Sequence, residues 1–409
     1  MDTLSPLEIH SAMSLISYPC LSFASELLDI YGSPLYVYDR EIFRQTIRQI
    51  TQAITYPGTQ FCFATVTNGN ISLLRIVQDA HWGLHANTPG DIYLGLKAGF
   101  TPQEIVYSGS NLNREEMIQV LNWGIPRLNL DSLAQLQLCC DVYQSLPRSS
   151  SPPYLGLRLN EPTITGDSRI GVQPQEFPEA VRIANSVNLK VKGLHFYRGT
   201  GTNATSAFTQ VIDSLLAIAQ KLPDWEYLDF GGGFGYPYHE KDVAFDWHEF
   251  GEILSEKLLG TKIHLIIEPG RAAIARCAVL LTTVVSVKWQ KDKQIIGVDT
   301  TVANLSVPSV HGGYRQIVPL SAPETEEKSI TDVCGNTTYS RDYLGRNCPL
   351  PKLSVGDVLA ILDVGGYGYA MSSHFLHRPR PAEVLLDDND HRLIRQREDY
   401  QVLLANQIF

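Results

Sequence analysis

Short apolar runs alternate with amphipathic stretches along the first two thirds of the chain. Between Gln60 and Gly270 the apolar or β-branched runs are Phe61–Thr65, Trp82–Ala86, Glu104–Tyr107, Arg127–Leu130, Tyr154–Leu159, Lys190–Phe196, Tyr227–Phe230 and His264–Ile267. Continuous apolarity over so few residues is the pattern of parallel strands buried on both faces. The stretches between them carry apolar residues at helical spacing: Ser72–Asp79, Pro89–Ala98, Ser132–Tyr143, Phe177–Ser186, Thr205–Lys221 and Phe250–Leu259. Strand–helix alternation predicts a parallel α/β sheet, and eight repeats predict a closed (β/α)8 barrel, with a doubly wound open sheet as the alternative.

Past Arg271 the pattern changes. Ala278–Val287, Gln294–Val298, Val358–Asp363 and Ala382–Leu386 follow one another with Gly- and Pro-rich turns and no regular helices between them. This predicts a β domain. The expected division is a barrel over 36–274 and a discontinuous β domain from 1–35 and 275–409. Ser145–Pro153 reads as a polar surface loop, because the strand rhythm resumes after it.

Composition narrows the partners. A chain of 409 residues with a formal charge of −10 suits two domains. It carries no basic surplus for a nucleic acid or an anionic membrane. The seven cysteines form no CxxC pair and suit reduced, buried thiols. Without a basic n-region or a run near the roughly 18 apolar residues of a membrane span, the expected location is cytoplasmic. His374 and His377 read as loop residues, and no metal is expected.

The working face of such a barrel is the ring of strand C-termini. Two segments there suggest chemistry. Leu228–Gly235 (LDFGGGFG) runs a strand into three glycines, whose backbone amides can converge on a phosphate. Glu268–Arg271 (EPGR) sets a carboxylate beside a guanidinium. Taken singly, the glycines are equally a plain turn and the Glu–Arg pair an ion pair.

Taken in order along the chain, these segments resemble the fold-type III pyridoxal phosphate (PLP) decarboxylases, the diaminopimelate, ornithine and arginine decarboxylase family. The series includes Leu35–Asp39 (LYVYD), Phe61–Arg75, Ser168–Gly171 (SRIG), Gly193–Phe196 (GLHF), LDFGGGFG and EPGR. It ends with Asp363–Gly368 (DVGGYG) and Arg378–Val384 (RPRPAEV). The resemblance implies an alanine-racemase-like barrel with a C-terminal β domain. It implies that Gly231, Gly232, Gly233, Gly270, Arg271, Thr200 and Tyr367 hold the cofactor phosphate. Glu268 would face the pyridine nitrogen and keep the ring protonated. A homodimer with shared sites and a small amine or amino-acid ligand are implied as well.

The same resemblance exposes departures. Where the family has Y-A-x-K-A-N, this chain has Phe63–Asn68 (FATVTN), so the lysine that forms the Schiff base is replaced by Val66, and residues 41–96 contain no lysine. Lys97, in a predicted helix, is expected at the surface. The ring-stacking His aligns with Tyr197, and the catalytic Cys of C-E-S-x-D with Thr338. An acid after the second strand aligns with His85, and a carboxylate-gripping Arg with Val307. Tyr197, Thr338 and His85 are thus the catalytic candidates.

Three readings follow. One is a PLP-type carboxy-lyase of altered or lost activity that holds PLP or a PLP–amine adduct non-covalently. Another is a regulatory pseudoenzyme that partners an active paralogue or holds another phosphate ligand. An engineered lysine-to-valine exchange ranks last, since it leaves Tyr197, Thr338 and Val307 unexplained.

Overall fold

The computed structural model describes residues 18–147, 152–199, 201–320 and 327–409. The chain divides into two compact units. One comprises the described residues up to Phe43, with Tyr238–Glu240 and Ile274–Phe409; the other is Arg44–Pro237 with Lys241–Ala273.

The first strand, β1 (Leu35–Asp39), lies in the sheet of the former unit, antiparallel to β10 (Ala278–Gln290) and parallel to β16 (Ala382–Asp387). Eight parallel strands close the barrel of the other. They are β2 (Thr59–Ala64), β3 (Gly83–Ala86), β4 (Ile105–Tyr107), β5 (Arg127–Leu130), β6 (Tyr154–Arg158), β7 (Val191–His195), β8 (Tyr227–Asp229) and β9 (His264–Ile267). The closed ring excludes the open doubly wound sheet.

Helices Ile71–Asp79, Pro89–Ala98, Leu133–Ser145, Phe177–Asn185 and Trp247–Lys257 occupy the expected amphipathic stretches. Two differences stand out. Arg114–Asn122 is a further helix, capped by Asn113 and burying Met117, Val120 and Leu121; its charged first turn hid a short apolar stripe. The expected helix over Thr205–Lys221 is instead two pieces, Ser206–Thr209 and Ile212–Ala219.

The barrel interior contains polar groups that pair with each other. Asn129 is fully buried, donates to Ser108 Oγ (2.9 Å) and Asp229 Oδ2 (2.7 Å), and accepts from the Tyr227 hydroxyl (2.9 Å). Glycine is needed beside it. A Cβ on Gly193 would lie 1.9 Å from Tyr227 Cζ, and one on Gly156 2.2 Å from Asn129 Oδ1. The missing side chains make room for a phenol ring in the barrel, and the network leaves few of its polar atoms stranded.

The nine-stranded sheet of the other unit also holds β11 (Lys293–Val298), β12 (Ile317–Pro319), β13 (Ser329–Cys334), β14 (Tyr343–Leu350), β15 (Val358–Ile361) and β17 (Asp390–Arg395). Its core has the period of two expected of strands. Leu35 and Val37 pack with Val279, Leu281, Ala382, Val384 and Leu386. On the other face of β1, the Tyr36 hydroxyl donates to Asn304 O (2.8 Å) and that of Tyr38 to Glu383 Oε1 (2.7 Å). None of the seven cysteines forms a disulfide, and five are buried. Among the described residues no helix is long and apolar enough to cross a membrane.

Candidate functional site

The glycine segment after β8 is pinned at both ends by aromatic packing. Phe230 and Phe234 bracket the three glycines and sit in a cluster with Phe208, Phe245, Trp247 and Phe250. Ring centroids are 4.7 Å apart for Phe208–Phe234 and 4.6 Å for Phe234–Trp247. Burying each phenyl ring is worth about 1.5–3 kcal/mol, so the loop between them is held firmly.

Within the loop, Gly231 and Gly233 have φ of +65° and +97°. A Cβ would lie 2.0 Å from Phe196 O at Gly231, 2.6 Å from Glu268 O at Gly232 and 2.2 Å from Gly199 O at Gly233. The glycines therefore let the ends of β7, β8 and β9 come together. Gly201 and Thr202 donate to Gly233 O (3.0 and 3.2 Å), stitching the loop after β7 onto the loop after β8. Among the described residues, the Gly232 and Gly233 amides donate to no group, whereas Gly231 N donates to Asp229 Oδ1 (3.0 Å). Arg271 Nε comes within 3.7 Å of where a Cβ on Gly201 would be. Thr200 lies outside the described residues.

The segment after β9 meets the turn after β2. Ala64 N donates to Pro269 O (3.3 Å), and a Cβ on Gly270 would lie 2.6 Å from Thr67 Cγ2 and 2.9 Å from Ala64 Cβ. That turn is tightly built. Thr65–Thr67 makes one 3-10 turn, Asn68 Oδ1 accepts from Asn70 N (3.1 Å), and Asn70 Oδ1 caps the next helix at Ser72 N (3.0 Å). Thr65 and Thr67 are each 1% exposed, but Val66 between them is 41% exposed.

Glu268 sits at the head of this arrangement, 2% exposed. Its Oε2 is 3.5 Å from His195 Nε2 and 3.6 Å from His85 Nε2. The donor atoms of His195, Asp229 and Glu268 lie within 4.8 Å of one another. Burial pushes the Glu268 carboxyl up to about 7, with Asp229 and Arg158 opposing the rise. Asp229 is raised well above the usual carboxylate range by burial and by Glu268. Two buried carboxyls this close keep a proton between them at neutral pH. Burial drives His85 down to about 3 and His195 to about 4, so both imidazoles are neutral.

The Tyr197 ring lies 5.1 Å from the Arg158 guanidinium, a cation–π contact. The barrel mouth thus unites His85, Tyr197, Gly231, Gly232, Gly233, Glu268, Gly270 and Arg271 in one unit. Thr338 is exposed between β13 and β14, and Tyr367 is half-buried with φ +60°; both belong to the other unit. Val307 is buried there as well. Lys97 is exposed, 5.4 Å from the Tyr93 ring.

Sequence reasoning assigned no role to His195, Asp229, Asn129 or Arg158. Each lies on a barrel strand at or near its C-terminal end, and a polar residue closing an otherwise apolar run was the available signal. His374, the metal candidate set aside above, is engaged by Glu398 at 2.7 Å.

Comparison with known proteins agrees with this architecture. The pyridoxal-binding domain model of the pyridoxal-dependent decarboxylases matches residues 40–275. A diaminopimelate decarboxylase of Methanothermobacter thermautotrophicus is 34% identical over 403 residues, 94% of each chain. The structure of diaminopimelate decarboxylase from Helicobacter pylori complexed with L-lysine superposes with a TM-score of 0.86 at 28% identity, over 93% of this chain and 98% of that one. That of M. jannaschii in co-complex with L-lysine gives 0.88 at 25% identity, over 94% of each. An alanine-racemase-like barrel with a separate β domain, the amide-lined glycine loop and a buried carboxyl beside it therefore agree with the sequence comparison: this chain belongs to the pyridoxal-dependent decarboxylase family.

Proposed function

We propose that this protein binds PLP, or its adduct with an amine or amino acid, without a covalent bond to lysine, and that its decarboxylase chemistry is altered or lost. The observation that carries the reading is Val66. It occupies the turn after β2, packed beside the segment that contains Glu268 and Gly270, where the family resemblance puts the Schiff-base lysine. No other lysine of the barrel unit is placed to substitute. Lys190, Lys192 and Lys257 pair with Asp224 (3.3 Å), Glu226 (2.8 Å) and Asp213 (2.7 Å), away from the strand C-termini. Lys97, Lys221, Lys241 and Lys262 are exposed.

The residues present fit the cofactor. Both nitrogens of His85 and His195, and Glu268 Oε1, are buried without a hydrogen-bond partner. Stranding such groups costs about 1–3 kcal/mol each, which a polar ligand in the barrel mouth would recover. The Gly232 and Gly233 amides and Arg271 would hold the phosphate, as backbone nests do. Glu268 would hold a proton on the ring nitrogen, and Tyr197 would cover the ring. Bound there, PLP supplies an electron-withdrawing ring to its substrate. Val66 can neither anchor it nor return a proton. The relatives crystallised with L-lysine support an amine or amino-acid ligand. Thr338 and Tyr367 would contribute through a homodimer with shared sites.

A regulatory pseudoenzyme is the second reading, favoured by the joint departures at Tyr197, Thr338, His85 and Val307. Titrating PLP into the protein with and without an amine separates the cases. An amine-dependent visible band supports a residual reaction, and uptake without it supports the pseudoenzyme. No uptake at all defeats both PLP readings and leaves a pseudoenzyme that partners a paralogue or holds another phosphate ligand.

A further inference from the structure

Two histidines from different strands address one oxygen. His85 on β3 and His195 at the end of β7 place their Nε2 atoms 3.6 and 3.5 Å from Glu268 Oε2. Neither ring has a hydrogen-bond partner on either nitrogen. A movement of about half an ångström would turn either approach into a hydrogen bond, and such contacts commonly tighten when a ligand binds.

The two are not equivalent. His195 is wedged under the glycine loop, where a Cβ on Gly231 would lie 3.3 Å from its Nε2. His85 reaches Glu268 from β3, pairs with no other carboxylate among the described residues, and is faced by His195 and Arg158. The remaining charged groups that face Glu268 are Asp229 on β8 and Arg158 on β6. Asp229 is already engaged by Asn129 and by the Gly231 amide.

We propose that His85 is a positioning residue acting through Glu268: its Nε2–H donates to Oε2, so that the carboxylate stays charged and directed at the ring nitrogen of the cofactor. The inference rests on the reading that the site takes PLP. Its chemistry is specific. A carboxyl that shares a buried proton with Asp229 is a poor partner for a pyridinium, because its neutral form cannot offset the ring's positive charge. A donor on Oε2 favours the anion through a charge-assisted bond. Neutral imidazole supplies that donor without adding a second buried charge.

The test uses the full-length chain and PLP itself, with His85→Ala, His85→Gln, Glu268→Gln and the double variant His85→Ala/Glu268→Gln. The readouts are the PLP dissociation constant and the pH midpoint of the bound cofactor's visible band. His85→Ala should weaken PLP by about tenfold and move the midpoint down by about one pH unit, because the bond lost is charge-assisted. His85→Gln, which keeps a donor at similar reach, should stay within about threefold of wild type. In the Glu268→Gln background the alanine exchange should cost under about twofold. Undiminished loss in that background, or His85→Gln falling as far as His85→Ala, overturns the inference while PLP uptake by wild type upholds the site. Failure of wild type to take up PLP overturns the site reading and the inference together.

Discussion

At the ends of β8 and β9 the backbone leaves no choice of residue, whereas at the end of β2 it leaves an open one. Gly231, Gly232, Gly233 and Gly270 each sit where a Cβ would lie within 2.6 Å of a neighbouring atom. Val66 projects from a turn whose other members are buried, itself 41% exposed. Sterics therefore preserve the glycine side of the mouth whatever chemistry is performed. The residue at position 66 can change without disturbing the fold. The proposed combination of a retained grip and a lost anchor is what such unequal constraint would produce.

The largest effect should come from Gly233→Ala. Its φ of +97° and the 2.2 Å approach to Gly199 O must both be relieved, at a cost of about 3 kcal/mol in denaturant unfolding. PLP affinity should fall with it. A stability loss under about 0.5 kcal/mol would show that the loop is not constrained as described.

Glu268→Gln should show its effect through pH. The folded carboxyl titrates near 7, above its unfolded value, so the folded state binds more protons between the two values. Wild-type stability from this group is present at low pH and lost as pH rises through about 7. The variant should therefore gain on wild type between pH 5 and pH 8, by on the order of 2 kcal/mol. The histidines act oppositely. With folded values near 3 and 4 they destabilise the fold as pH falls below the ordinary imidazole range. A difference between Glu268→Gln and wild type that is flat across the window would remove the buried proton from the account.

Val66→Lys sharpens the contrast directly. The exposed turn should accept the longer side chain for under about 1 kcal/mol, and borohydride should then fix PLP at position 66. A folded variant that binds PLP without fixing it would mean that the turn does not face the cofactor. The smallest effect is expected of Lys97→Ala, which should leave PLP binding unchanged in the same titration, because this lysine lies exposed near the end of a helix.

The barrel was legible because parallel strands buried on both faces are written as uninterrupted apolar runs. Much of the second sheet was not. Ser329–Cys334 and Tyr343–Leu350 pair with each other through register shifts, and the latter keeps Gly345, Arg346, Asn347 and Pro349 in its length. Tyr343–Leu350 lies at the edge of the sheet, and an edge strand of that kind carries little apolar signal. At the site, Glu268 and the glycines announce themselves by motif. The cluster of His195, Asp229, Asn129 and Tyr227 does not, since it depends on which residues of β5, β7 and β8 point inward at the same level. Tyr227 in particular is admitted to the barrel by Gly156 and Gly193, two glycines far from it in sequence.

The most direct test of the central claim is borohydride reduction of the wild-type protein saturated with PLP, followed by intact-mass and peptide mass spectrometry. The account predicts PLP uptake in the spectrum and no phosphopyridoxyl mass on any lysine. A stoichiometric adduct on a single lysine would contradict it and return the anchor to this chain.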